Sequence, residues 1–86
     1  MAINLHGNNS HKKANILHLL GMNYNGLSQY DNALESYKKS LRIDKSLKDQ
    51  RNSVAITLLN IGAVYANTND NKKAIEFYEA SLTIKK

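Results

Sequence analysis

Residues 19–24 read Leu-Leu-Gly-Met-Asn-Tyr, and residues 60–65 read Asn-Ile-Gly-Ala-Val-Tyr. In each, an aliphatic residue precedes a glycine, and a tyrosine follows three positions after it. The two stretches lie 41 residues apart. A glycine inside a helix costs about 0.5–1 kcal/mol relative to alanine. Two such glycines in the same local setting therefore point to close packing, repeated.

Working outward, the same 41-residue shift superposes residues 14–45 on residues 55–86. Identities include Ala14/Ala55, Leu17/Leu58, Gly21/Gly62, Tyr24/Tyr65, Ala33/Ala74 and Tyr37/Tyr78. Ser40/Ser81, Leu41/Leu82 and Ile43/Ile84 extend the match. The repeated positions are small, aromatic or aliphatic, whereas the differences are mostly polar, so the shared positions are those of a packing pattern.

Apolar residues recur at helical spacing throughout. The stripes are Ile16, Leu17, Leu20, Tyr24 and Leu27; Tyr30, Leu34, Tyr37, Leu41 and Leu47; Val54, Leu58, Ile61 and Tyr65; and Ile75, Tyr78, Leu82 and Ile84. Between them lie breaks rich in asparagine, glycine and serine, at residues 7–10, 26–29, 48–52 and 67–70. Ser28 with Asp31, and Asp70, read as helix N-caps. No stretch alternates with period two long enough for a strand. The spacing predicts an all-α chain of four helices near 11–26, 29–47, 51–67 and 71–85, forming two stacked helix–turn–helix units.

Composition narrows the function. The chain has 86 residues, no cysteine and no proline, and a net charge of +5. A domain this small hides only about 60 % of its unfolded surface, with neither disulfide nor metal cluster to support it. No apolar run approaches the ~20 residues that span a bilayer, and residues 1–10 lack the pattern of a cleaved signal. A soluble, cytoplasmic protein is expected. The lysines are dispersed in pairs and arginine occurs only at 42 and 51, so nucleic acid is not the expected partner.

Chemistry is sparse. His11 and His18 stand two helical turns apart with no third ligand nearby, so no metal is expected. Glu35 is flanked by Lys38 and Lys39, which reads as surface charge balance. No glycine motif for phosphate is present. An enzyme is not expected, nor a cofactor.

Leu17, Leu20, Gly21 and Tyr24, followed by Ala33 and Tyr37, resemble the signature of the tetratricopeptide (TPR) family. Leu58, Ile61, Gly62, Tyr65, Ala74 and Tyr78 repeat it. The period of 41 resembles the family's long variant of roughly 42 residues. Leucine stands where tryptophan is usual, and Ser40 and Ser81 stand where alanine is. The resemblance implies an α-solenoid fragment, with residues 1–10 a tail or the end of a preceding helix. Residues 11–50 form repeat one with an extended second helix, and residues 51–86 form repeat two.

The resemblance further implies protein–protein interaction through a concave groove built from the first helix of each repeat. Repeat one would contribute Asn15, His18, Leu19, Met22 and Asn25. Repeat two would contribute Ile56, Leu59, Asn60, Ala63, Ala66 and Asn67. Amides suit the backbone of a bound peptide, and Met22 and Leu59 suit its apolar side chains. The lysine–asparagine clamp of chaperone-binding relatives is absent, because His18 and Met22 occupy its first two positions. The alternative is self-assembly through an uncapped last helix, giving a homo-oligomer. On this reading Phe77 is an exposed residue of that helix and Leu82 a packing one.

Overall fold

The computed structural model describes residues 5–46 and 51–85. Four helices fill them: α1 (Leu5–Gly26), α2 (Tyr30–Ser46), α3 (Arg51–Asn67) and α4 (Asn71–Lys85). The chain is all-α, with no strand among the described residues. None of its helices is long and apolar enough to cross a membrane among those residues. The expected extension of α2 through Leu47 lies outside the described residues.

α1 packs on α2, α3 packs on α4, and α2 packs against α3 to join the units. α1 and α3 touch only lightly. The shortest dimension across Cα atoms is 13 Å. Two helix layers whose axes lie about 9 Å apart give that thickness. One layer holds the first helix of each unit and the other the second.

The start of α1 corrects the sequence reading. Residues 7–10 were expected to break the chain, but the helix runs through them from Leu5. Asparagine, serine and glycine each cost at most about 1 kcal/mol inside a helix. Extending a formed helix fixes one residue per added hydrogen bond, and no proline intervenes.

The turns also differ from expectation. Ser28 is not the N-cap of α2. It has φ 63° and closes α1, as Asn69, with φ 66°, closes α3. In the first turn Ser28 N donates to Asn25 O and Gln29 N to Tyr24 O. In the second, Asn69 N donates to Ala66 O and Asp70 N to Tyr65 O. Both are Schellman closures, which ordinarily favour glycine at the left-handed residue. Gly26 therefore lies one step inside the helix. Gln29 and Asp70 serve as N-caps; Asp70 accepts from Lys73 N through its carboxylate, at 3.3 Å.

The two internal glycines have a definite neighbour. A methyl group on Gly21 would lie 2.6 Å from Cε1 and 2.7 Å from Cδ1 of Tyr37. On Gly62 it would lie 2.8 Å from the same two atoms of Tyr78, and 3.1 Å from the Ala74 carbonyl oxygen. The closest partner of each glycine is thus a tyrosine ring, laid flat on bare backbone. Tyr37 is buried, and burial pushes its hydroxyl above the usual phenol range.

Serine replaces alanine late in each second helix for a visible reason. Ser40 Oγ donates to Ala14 O at 3.1 Å, and Ser81 Oγ donates to Ala55 O at 2.8 Å. These are buried, helix-to-helix and repeated, so each hydroxyl fastens the second helix to the first.

The core comprises Ala33, Tyr37, Ile61 and Val64, with Tyr24, Tyr30, Leu34, Leu41, Tyr65 and Phe77 packed around it. Ala14, Gly21, Ala55, Leu58, Gly62 and Ala74 are buried as well, while Leu17 and Tyr78 are half-buried. Leu20 is 38 % exposed although its counterpart Ile61 is 0 % exposed, because α2 covers Ile61. Ile16 and Leu27, placed on the packing stripe by spacing, are exposed. On α4, Phe77 is half-buried and stacks on Tyr65, with centroids 5.5 Å apart. Leu82, read as a packing residue, is 67 % exposed.

The glycines give a paired prediction in urea unfolding. Gly21→Ala and Gly62→Ala should each lower stability by about 1–3 kcal/mol, the cost of overpacking. Gly26→Ala, with nothing within 4 Å of the added carbon, should raise it by about 0.4–1 kcal/mol. Ser40→Ala and Ser81→Ala should each remove about 1 kcal/mol, one buried hydrogen bond apiece.

Candidate functional site

α1 and α3 stand side by side and meet the second helices more closely than they meet each other, which leaves one face of both exposed. Leu19, Met22, Ile56 and Leu59 lie on it at 58 %, 50 %, 45 % and 47 % exposure. Ala63 and Ala66, further along α3, are half-buried. Four apolar side chains kept half in water by folded helices are costly unless something covers them.

Their frame is polar. The Asn60 amide Nδ2 donates to His18 Nε2 at 3.1 Å, and Asn67 Nδ2 donates to Asn25 Oδ1 at 3.0 Å. Both pairs bridge α1 to α3. His18 also sets its ring edge-on to Tyr37, with centroids 5.5 Å apart, so the core orients it. These pairings change the picture of freely available amides. Four of the five polar groove residues hold one another, and Asn15 alone stands exposed outside the two pairs. Asn25 keeps its amide N–H₂ and Asn67 its carbonyl for further contacts.

Where α1, α2 and α3 meet there is a cavity of about 150 Å³. Ala14, Asn15 and His18 of α1, Ser40 and Asp44 of α2, and Ser53, Ile56 and Thr57 of α3 line it. Asp44 is buried, at 5 % exposure. Sequence reading missed this residue. Its counterpart in the second unit is Lys85, a mismatch that marks the position, but burial depends on α3 lying across it. Glu35 and Lys39 pair at 3.5 Å on the outer surface of α2, away from the groove.

The tetratricopeptide repeat model matches residues 12–86. The chain belongs to the tetratricopeptide repeat family. Both TPR units therefore fall within the matched span, and the glycine–tyrosine contacts and serine fastenings are how this chain builds them. It is 29 % identical over 80 residues to "Photosystem I assembly protein Ycf3" of Rippkaea orientalis, covering 93 % of this chain and 44 % of that one. It is 35 % identical over 65 residues to "Uncharacterized protein ycf37" of Guillardia theta, covering 76 % and 33 % respectively. The chain thus spans less than half the length of these curated relatives. No solved structure is significantly similar to it.

The bridging pairs contribute unequally to holding the two TPR units in register. The partly buried His18–Asn60 contact should matter more than the exposed Asn25–Asn67 one. Asn60→Ala should cost about 1 kcal/mol in urea unfolding, and Asn67→Ala under about 0.5 kcal/mol.

Proposed function

We propose that this chain is a non-catalytic interaction module whose concave α1–α3 face holds a peptide or helix of a partner protein. Membership of the TPR family makes protein–protein interaction its general work. The observation that carries the finer reading is the half-exposed quartet Leu19, Met22, Ile56 and Leu59, carried by two helices that two hydrogen-bonded bridges tie together. The quartet receives apolar side chains, and the exposed amide of Asn15 with the remaining groups of Asn25 and Asn67 receives backbone N–H and C=O. One relative is named as a photosystem I assembly protein. What is carried over to this chain is interaction with other polypeptides alone.

Peptides selected from a random displayed library provide the test. Chemical-shift changes on binding should map to the groove faces of α1 and α3. Met22→Glu should weaken binding about tenfold or more with the thermal midpoint unchanged, whereas Arg42→Glu on α2 should not. Shifts confined to α2 or α4, or a groove that selects no peptide, would contradict the proposal.

A second reading, self-assembly, is favoured by one observation. Ile75 and Leu82 are exposed on α4, while their counterparts Leu34 and Leu41 are half-covered by α3. A second copy could lay its α1 on this α4 as α3 lies on α2. Asn23 weighs against it, because it would enter the place that Val64 fills in the core. Leu82→Asp, rather than a change at Phe77, tests this. Light scattering should show any oligomer dissociating in that variant, and an oligomer left intact rules the α4 contact out.

A further inference from the structure

We propose that the cavity where α1, α2 and α3 meet is a pocket for one cationic side chain, lysine or arginine, of the polypeptide held in the groove. The inference rests on the groove reading above and names a chemical feature of the partner.

Size comes first. Sites for small-molecule ligands run about 300–1,000 Å³, whereas this cavity holds about 150 Å³. It admits a side chain rather than a cofactor. It also opens toward the groove, since Asn15, His18 and Ile56 belong to both. A partner lying along α1 and α3 passes its mouth.

The lining then selects the occupant. In a chain of net charge +5, the acidic side chain lining this cavity, among the described residues, is that of Asp44. Around it stand Ser40, Thr57 and Asn15, whose side chains each carry an oxygen that accepts. Ser40 spends its proton on Ala14 O, so toward the cavity it can only accept. Ammonium and guanidinium groups carry donors and no acceptors, and match such a wall. A carboxylate or phosphate would bring further acceptor oxygens against those of Asp44.

Comparison of the two units shows that this polarity is not a requirement of the repeat. Where the first has Asn15, His18 and Asp44, the second has Ile56, Leu59 and Lys85. The second TPR unit carries aliphatic residues at two of these places and a lysine at the third. Burying a carboxylate carries a desolvation penalty, and the first unit alone accepts it. Asp44 and Ser53 each already keep an interaction within the fold. A carboxylate has two oxygens and accommodates a further donor, and its attraction for a cation is stronger at a buried site than in bulk water.

The test is a two-dimensional NMR titration of the chain with Nα-acetyl-arginine methylamide, set beside its neutral isostere Nα-acetyl-citrulline methylamide. The arginine compound should shift the amides of Asn15, His18, Ser53 and Ile56 saturably, at least about fivefold more tightly than citrulline. In Asp44→Asn the two compounds should bind alike. Equal binding to the unaltered chain, or shifts elsewhere, would overturn the assignment, and that comparison decides the matter even if Asp44→Asn loses its fold. If Asp44 serves only to anchor the first turn of α3, Asp44→Asn loses stability while the unaltered chain shows no arginine preference. Such a result, with Met22-dependent peptide binding intact, removes the pocket and leaves the groove reading standing.

Discussion

A tyrosine ring lying on a glycine fixes the geometry of each half of this protein. Tyr37 rests where a side chain on Gly21 would be, and Tyr78 rests where one on Gly62 would be. The contact brings second helix to first at the spacing of one flat ring, and the buried serine hydroxyls lock the same pair further along. Interiors this closely packed do not yield to an added methyl without displacing a ring or a backbone. Both units share the contact, so both have the same internal shape, and stacking them in series leaves α1 and α3 side by side.

The groove follows from that arrangement rather than from any special loop. Because packing consumes one side of α1 and α3, their other side remains exposed, and its residues are free to differ between the units. They do differ. The first unit presents Asn15, His18 and Met22 where the second presents Ile56, Leu59 and Ala63. Where the two sets meet, amides bridge the helices and steady the surface. Packing positions repeat while the exposed positions of α1 and α3 diverge, the division expected when stability is a property of the repeat and binding a property of the array.

Much of this was legible in the sequence because packing imposes spacing. The 41-residue shift, the helical stripes and the glycine–tyrosine pairs disclosed four helices in two like units. What stayed hidden depends on which neighbour covers a face. Leu20 and Ile61 read identically, yet only Ile61 has α2 against it. Phe77 and Leu82 exchanged their expected roles, because the covered side of α4 runs through Ala74, Phe77, Tyr78 and Ser81 rather than along its most aliphatic line. Ser28 was read as an N-cap by residue type, whereas its backbone adopts a left-handed closure that composition does not announce. The burial of Asp44 required knowing that α3 crosses α2.

The most direct test of the central contact is a double-mutant cycle between Gly21 and Tyr37, read by urea unfolding. Gly21→Ala is measured alone and in the background of Tyr37→Leu. If the ring is what the glycine accommodates, the alanine should be harmful beside tyrosine and nearly harmless beside leucine, giving a coupling of about 1 kcal/mol or more. Additive effects, with the alanine equally harmful in both backgrounds, would mean that the ring does not set the approach of the helices, and the account built on it would fail.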